Sequence, residues 1–264
     1  MRTVYNGVPV VTSDPEMLPR VIAGLGIVPW TRSMPLPMDL DEYRVEIMSG
    51  QNLSWDSVEH YVQTTRERQM RREEVRRFAP KTEVLFLTPP GGGETGVYFR
   101  SVGRNWVSVF ATVPDPDCAP EDRERWQNLL VPIVAEWKHG AEVTVIGPVY
   151  GVLEAGESPR DCAFREFREE TGFELADVEP LTEAGLAVSP RQSTQQYFPF
   201  LGMVKEPVTR GEAHLDKTEH LKLVFVSLWT WFNFLVSGAA RDDNAYATTF
   251  LAMLKMNVLG AFVR

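Results

Sequence analysis

The sequence predicts an α/β protein in which a mixed β-sheet is sandwiched between helices and a smaller N-terminal α+β region comes first. After residue 105, strand-like apolar runs surround a strongly capped helix, which is the pattern of an α/β sandwich. A long charged helical stretch and a hairpin with a Gly-rich turn come earlier in the chain. We therefore expect an N-terminal region over residues 1–104 and a larger domain over residues 105–264.

The composition is that of an acidic globular protein. Hydrophobic residues make up 44% of the 264 residues, charged residues make up 24%, and the formal net charge is −9. This charge argues against a non-specific nucleic-acid binder, which needs a basic face to neutralise phosphates. The two cysteines, Cys118 and Cys162, do not make a disulfide framework or a zinc site.

Neither a targeting segment nor a membrane span is predicted. The N-terminus, MRTVYNGVPVV, lacks a basic segment followed by a long apolar run, so we expect no signal peptide. The most apolar stretch, residues 223–236, is short for a span and contains Ser227, Thr230 and Asn233. We therefore expect a cytoplasmic protein that does not cross a membrane.

The N-terminal region is predicted to contain two strands, a helix and a hairpin. Strands are expected near Val8–Val11 and over residues 41–50, and a charged helix from Ser54 or Asp56 to about Phe78. Glutamates alternate with the basic residues of this helix, which favours a solvated or partner-facing helix over a nucleic-acid surface. In residues 81–104 the turn PPGGG precedes a strand, whereas a phosphate-binding loop precedes a helix, so we predict a hairpin.

The larger domain is predicted to contain strands and helices in a mixed order. A last helix is expected to start after Asp242 and Asp243 and to end near Val258. The other predicted elements are strands over residues 106–113, 129–137, 181–188, 197–204 and 221–228, and helices over residues 158–171 and 230–237.

The stretch from Gly151 to Phe173, GVLEAGESPRDCAFREFREETGF, contains the helix around which the domain is organised. Ser158 is a good N-cap, Pro159 suits the first helical position, and Asp161 completes a capping-box pattern. The helix is expected to run to about Thr171, where Gly172 stops it. The stripe that we expect to pack inward consists of Ala163 and Phe167.

Three glutamates of this helix share one face. Glu166, Glu169 and Glu170 stand at i, i+3 and i+4, and Arg165 lies four residues before Glu169, where it can bond to that carboxylate. Clustered carboxylates are hard oxygen ligands of the kind that Mg²⁺ or Mn²⁺ accepts, although an acidic run is usually a solvated helix face. Here the residues around the glutamates favour a metal site over a solvated face. The seven fixed residues of the stretch would coincide by chance only on the order of once in 10⁸ to 10⁹ starting points.

The stretch resembles the Nudix box, G-x5-E-x7-R-E-U-x-E-E-x-G-U with U apolar, and matches every specified position. The chain looks most like the ADP-ribose and nucleoside-diphosphate-sugar pyrophosphatases, and this likeness extends over Trp106 to Val258. It rests on Glu136-Trp137-Lys138 before the box and on the loop Ser189–Gln195 after it. The resemblance implies a Nudix-type α/β/α sandwich over residues 105–264.

The chain departs from that subgroup at several positions. Gln195 replaces a glutamate of the loop after the box, and Arg191 and Gln192 replace glycines. Before the box, Gly147 stands where the subgroup has an acid. Substrate preference is therefore less constrained by the sequence than reaction class.

The resemblance implies roles for individual residues. Glu166, Glu169 and Glu170 would hold Mg²⁺ or Mn²⁺ together with the backbone carbonyl of Tyr150, and Arg165 would orient the carboxylates. Glu157 is expected to bond to Arg165 or to contact the metal through water. The general base would be one of the box glutamates or a carboxylate of the 205–220 loop, where Glu219 is the leading candidate and Glu212 and Asp216 are alternatives. Lys138 and Arg191 are candidates for phosphate binding or for surface ion pairs.

The function implied is metal-dependent hydrolysis of the pyrophosphate of a small nucleoside diphosphate linked to another moiety. ADP-ribose or a nucleotide sugar is the expected substrate, giving a nucleoside monophosphate and a sugar phosphate. Alternatives are another Nudix substrate (a dinucleoside polyphosphate, NADH or a noncanonical nucleoside triphosphate) or a non-catalytic nucleotide sensor. Because relatives dimerise through an N-terminal β-rich domain, we also expect a homodimer.

Overall fold

The computed structural model describes residues 4–11, 20, 81–87, 90–91, 96–119, 121, 125–138, 143–215, 221–238 and 240–261. The chain divides into two compact units. The first comprises Met1–Met34, Trp106–Leu186 and Phe198–Arg264, and the second comprises Pro35–Asn105 and Ala187–Tyr197. The expected boundary after residue 104 stays a prediction.

The strands are numbered along the chain. They are β1 (Val4–Tyr5), β2 (Val8–Val11), β3 (Lys81–Leu87), β4 (Gly96–Val102), β5 (Trp106–Pro114), β6 (Leu129–Lys138), β7 (Val143–Gly147), β8 (Val149–Val152), β9 (Leu175–Pro180), β10 (Leu186–Ala187), β11 (Gln196–Val204) and β12 (Leu221–Ser227). The helices are α1 (Pro159–Thr171), α2 (Leu228–Val236) and α3 (Asp243–Lys255), with 3₁₀ turns at Trp126–Asn128 and Leu259–Ala261.

The sheet of the first unit is mixed, as predicted. Strand β12 pairs in parallel with β2 and antiparallel with β6. The long strand β5 joins two groups of strands, because its first half pairs with β8 and its last two residues pair with β6. β5 therefore links the strand that leads into α1 with the strands on the other side of the sheet.

Helices cover both faces of this sheet, which is the predicted sandwich. Alternating residues of β5 point to opposite faces. Val107 and Val109 belong to the core cluster that contains Phe167 of α1. Phe110 belongs to the cluster that contains Trp231 of α2. On that second face the Thr248 hydroxyl of α3 donates to Ser108 Oγ at 2.8 Å, and both residues are buried.

Several strands differ from the sequence-based expectations, since β1, β7, β8 and β9 were not predicted. The strand predicted over residues 181–188 is wrong, because the chain enters β9 at Leu175, directly after α1, and forms only the two-residue strand β10 at Leu186–Ala187. β9 was missed since only Leu175 and Val178 among its residues are buried, so it shows no strict alternation. The strand Val8–Val11 was expected, but its pairing with β12 is long-range and could not be predicted from local pattern.

The second unit contains the predicted hairpin. β3 and β4 pair antiparallel along their whole length, from Lys81 opposite Val102 to Leu87 opposite Gly96. Two further predictions, the strand over residues 41–50 and the charged helix up to Phe78, lie outside the described residues. Among the described helices, none is long and apolar enough to cross a membrane.

Replacing Phe167 with Ala should destabilise the first unit by about 3–5 kcal/mol, because the ring is fully enclosed between α1 and the sheet. Chemical denaturation followed by circular dichroism measures the change in free energy of unfolding. Arg168→Ala is the matched control, since Arg168 is the exposed neighbour on the same helix. Equal stability of the two variants would contradict the packing described for α1.

Candidate active site

The helix α1 begins and ends as its sequence predicts. Asp161 N–H donates to Ser158 Oγ at 3.1 Å, and the Ser158 hydroxyl donates back to Asp161 Oδ2 at 2.6 Å. Gly172 ends the helix in the left-handed region, at φ 75°, and its N–H donates to the Arg168 carbonyl. Ala163 and Phe167 are fully buried and Glu170 is buried beside them, whereas Glu166 and Glu169 are partly exposed.

Arg165 forms ion pairs with three glutamates. Its Nε and Nη2 atoms donate to the two oxygens of Glu157 at 2.8 and 2.9 Å, a bidentate pair. Its Nη1 lies 2.8 Å from Glu166 Oε1 and 2.9 Å from Glu169 Oε2. Nη2 also donates to the Val152 carbonyl at 3.1 Å, which ties the end of β8 to the helix. The predicted bonds of Arg165 to Glu157 and Glu169 are therefore confirmed.

Glu157 closes the loop between β8 and α1. Its Oε2 also accepts from the Glu154 N–H at 2.8 Å, so one carboxylate joins the loop to the guanidinium. The hydrogen bonds from Arg165 lower the pKa of Glu157 from 4.5 to about 2, with the Glu154 amide contributing and burial opposing. The carboxylate partners in turn raise the pKa of Arg165, so this pair stays ionised at neutral pH.

Gly151 is required because of Glu166. A Cβ at position 151 would lie 1.8 Å from Glu166 Cγ and 2.1 Å from Glu166 Cδ. The Glu166 side chain thus lies directly on the backbone of β8. The sequence suggests a conformational role for both box glycines, but only Gly172 has a positive φ, and the role of Gly151 is to allow this close approach.

The third glutamate, Glu170, is 6% exposed and is the most buried carboxylate of the box. Cys162, near the start of the same helix, is fully buried, and burial raises the pKa of the thiol, so this cysteine is a packing residue. The three glutamates offer the hard oxygen ligands that suit Mg²⁺ or Mn²⁺. The described residues contain no group of three acidic, histidine or cysteine side chains that could hold a metal ion as they lie. In this arrangement Arg165 engages Glu166 and Glu169.

The other predicted site residues are not brought into this cluster by any described contact. Lys138, at the end of β6, forms an ion pair with Glu136, the surface alternative considered for it. Tyr150 lies in β8 opposite Ser108, and Arg191 is exposed in the second unit. Glu219 lies outside the described residues, as does Asp216.

Two departures from the subgroup pattern have a local structural reason. A Cβ at Gly147 would lie 2.7 Å from the Tyr150 hydroxyl, so the phenol fills the space that a side chain at 147 would need. In the second unit, Gln195 Nε2 donates to the Arg104 carbonyl at 3.0 Å, and Gln195 Oε1 accepts from the Ser193 hydroxyl at 3.2 Å. A glutamate at 195 could not donate to that carbonyl.

Sequence reasoning missed a second group of contacts at the other end of α1. Arg210 Nε donates to the Thr171 carbonyl, Gly211 N–H to the Gly172 carbonyl, and His214 N–H to the Glu169 carbonyl. The polar loop gave no local pattern that would indicate these partners. His214, expected at the surface, is exposed, and only its backbone contacts the helix.

Comparison with known proteins agrees with this geometry. The family model described as the NUDIX domain matches residues 123–244. These residues therefore form a Nudix domain. One similar solved structure is described as that of an "ADP compounds hydrolase"; it is 20% identical, with a TM-score of 0.50, over 69% of this chain and 96% of the other. This likeness supports the Nudix fold, and no match is found among curated proteins.

Replacing Glu157 with Gln should reduce the fall in the free energy of unfolding of this Nudix domain as the pH is lowered. Because the folded pKa is about 2 and the ordinary value is 4.5, the carboxylate stabilises the fold above about pH 5, and that contribution disappears as the pH falls towards 2. The variant should be less stable at pH 7 and lose less stability between pH 5 and 2. Urea denaturation at several pH values measures this, with Glu183→Gln as a control for removing one exposed charge. An acid limb as steep as that of the wild type would contradict the Arg165 pairing.

Proposed function

We propose that this Nudix enzyme is a divalent-metal-dependent pyrophosphohydrolase that cleaves the diphosphate of ADP-ribose or a nucleotide sugar. The products are a nucleoside monophosphate and a sugar phosphate. The observation that carries the proposal is the complete box on α1, in which Arg165 bridges Glu157, Glu166 and Glu169 beside the buried Glu170.

The three box glutamates and the Tyr150 carbonyl are the proposed ligands of Mg²⁺ or Mn²⁺. When bound, such an ion neutralises phosphate oxygens and lowers the pKa of a coordinated water. These residues suit such an ion because they place carboxylate oxygens on one helix face. Glu166 lies directly on β8, because Gly151 has no side chain. Arg165 keeps these like charges together and orients them, which is an expected role for a guanidinium fork.

The remaining roles rest on the sequence. Glu219 is the first candidate for the general base that activates the attacking water, with Glu212 and Asp216 as alternatives. Lys138 and Arg191 are candidates for binding the substrate phosphates, although Lys138 is paired with Glu136 here. Glu157 contributes to substrate binding by fixing the loop that enters α1.

The substrate class is supported by two observations. The sequence resembles the ADP-ribose and nucleotide-sugar subgroup outside the box, and a similar fold is described as an ADP compounds hydrolase. This chain differs from that subgroup at Gly147, where the Tyr150 phenol occupies the side-chain space, and at Gln195, which donates to the Arg104 carbonyl. The substrate assay therefore includes other nucleoside diphosphate derivatives. A non-catalytic sensor would not need the complete ligand set.

Glu169→Gln and Glu170→Gln should each lower kcat/KM by at least about 100-fold, because each removes a carboxylate from the metal site. The assay measures products from ADP-ribose, a nucleotide sugar, a dinucleoside polyphosphate, NADH and a nucleoside triphosphate, with Mg²⁺ or Mn²⁺. Glu183→Gln is the matched control, since Glu183 is exposed and outside the box. Turnover unchanged in the box variants contradicts the metal-site assignment, and hydrolysis of the triphosphate alone contradicts the substrate class.

We further propose that the chain forms a homodimer through the hairpin of β3 and β4. Val84 lies opposite Phe99, and Phe86 lies opposite Val97, so these four side chains share one face of the ribbon. All four are exposed, Phe86 by 70% and Phe99 by 64%. A two-stranded ribbon with such a face needs an apolar partner for stability, and a second copy presents the same surface.

The double variant Phe86→Thr, Phe99→Thr should convert a dimer to a monomer, because it removes both rings while retaining residues with high β propensity. Light scattering coupled to size-exclusion chromatography measures the molar mass. Met203→Thr is the control, as it removes an apolar side chain that is also more than half exposed, from β11. A monomeric wild type, or a double variant that stays dimeric, would refute the hairpin interface.

A further inference from the structure

The segment from Val208 to His214, called here the capping segment, lies against the C-terminal end of α1. Three carbonyls at this end accept from it: Glu169 O from His214 N–H at 2.8 Å, Thr171 O from Arg210 Nε at 3.0 Å, and Gly172 O from Gly211 N–H at 2.7 Å. The last four carbonyls of an α-helix have no partner within the helix. The capping segment therefore supplies bonds that the helix itself cannot make.

Arg210 is the one side chain of the capping segment among these three donors. Its guanidinium carbon lies 5.9 Å from the centre of the Phe173 ring, which is fully buried in the core beside α1. A cation at this end also interacts favourably with the negative end of the helix dipole. Partial desolvation lowers the pKa of Arg210, but a guanidinium remains protonated at any pH at which the enzyme is folded.

The fit between the segment and the helix end is close. A Cβ at Gly172 would lie 2.6 Å from the Gly211 carbonyl oxygen and 3.3 Å from Arg210 Cγ. At the other end of the segment, Asn6 Nδ2 donates to the Val208 carbonyl at 2.9 Å. The segment is thus held between the turn that joins β1 to β2 and the last turn of α1.

We infer that Arg210 is a positioning residue for the metal site, acting by fixing the last turn of α1 that carries Glu169 and Glu170. The inference rests on the proposed function, because it assumes that these two carboxylates bind the metal. Glu169 is held by both its side chain and its backbone. Arg165 binds its carboxylate, and the capping segment binds its carbonyl. Loss of the Arg210 bond frees the Thr171 carbonyl and loosens the turn on which both ligands stand.

Arg210→Ala should weaken Mn²⁺ binding by about 10- to 100-fold, the usual effect of removing a residue that supports metal ligands. Arg210→Lys should restore part of this affinity, because it keeps the charge and one donor. The substrate KM at saturating metal should change little. Hydrogen exchange should show faster exchange at the Gly172, Gly211 and His214 amides in Arg210→Ala.

Arg160→Ala is a matched control at the opposite end of the same helix. Like Arg210, Arg160 donates to a backbone carbonyl, that of Val178 at 2.5 Å, and its guanidinium lies 5.4 Å from the centre of an aromatic ring, that of Phe164. It forms an ion pair with Asp177 in addition. Its removal should leave Mn²⁺ affinity within about twofold of the wild type, since the carboxylates lie in the later turns. Thermal unfolding of both variants records any general loss of stability.

The decisive measurement is a Mn²⁺ titration of the full-length protein followed by electron paramagnetic resonance, without substrate. Weaker binding in Arg210→Ala, with Arg160→Ala near the wild type, supports the positioning role. Equal binding in Arg210→Ala and wild type, or equal weakening in Arg160→Ala, overturns it. A wild type that binds no Mn²⁺ overturns it together with the metal dependence, whereas failure to hydrolyse any diphosphate overturns only the proposed function.

Discussion

The network of ion pairs around Arg165 is the interaction on which the rest of the candidate site depends. Three carboxylates within reach of one another repel strongly, and burial increases that repulsion. A guanidinium offers five N–H donors in a fixed plane, so one Arg165 engages Glu157 through two of its nitrogens and holds Glu166 and Glu169 through the third. A lysine would supply the charge without this geometry. The site therefore contains its own counter-charge, which offsets the repulsion among its carboxylates.

The helix that carries these residues is anchored separately at each end. Ser158 and Asp161 cap its N-terminus by reciprocal bonds, a local device fixed by residues three apart. At the C-terminus, Gly172 ends the helix locally, whereas Arg210 binds it from nearly forty residues further along the chain. The carboxylates lie between these anchors, so their positions depend on both local sequence and tertiary packing.

Contacts between residues close in sequence, such as those at the start of α1, could be predicted from the sequence, whereas contacts between distant residues, such as those at its end, could not. Capping rules, helical spacing and the box motif gave the bounds of α1, the shared face of its glutamates and the Arg165 bonds, because all of these depend on residues close in sequence. The contact of Gly151 with Glu166 joins a strand to a helix, and the pairing of β2 with β12 joins strands that lie far apart in the sequence. Neither leaves a local pattern, and β9 was missed because it exposes most of its residues.

Two departures from the subgroup pattern, at Gly147 and at Gln195, are each matched by a neighbouring residue. The absent side chain at Gly147 accompanies the Tyr150 phenol that occupies its space. Likewise, Gln195 lies so close to Gly103 that a Cβ there would stand 2.4 Å from Gln195 Nε2. An acidic side chain at 147 would clash with Tyr150, and a glutamate at 195 would lose the hydrogen bond to the Arg104 carbonyl. Each difference therefore depends on the residues packed around it. The box itself keeps every specified position, so the departures lie outside it.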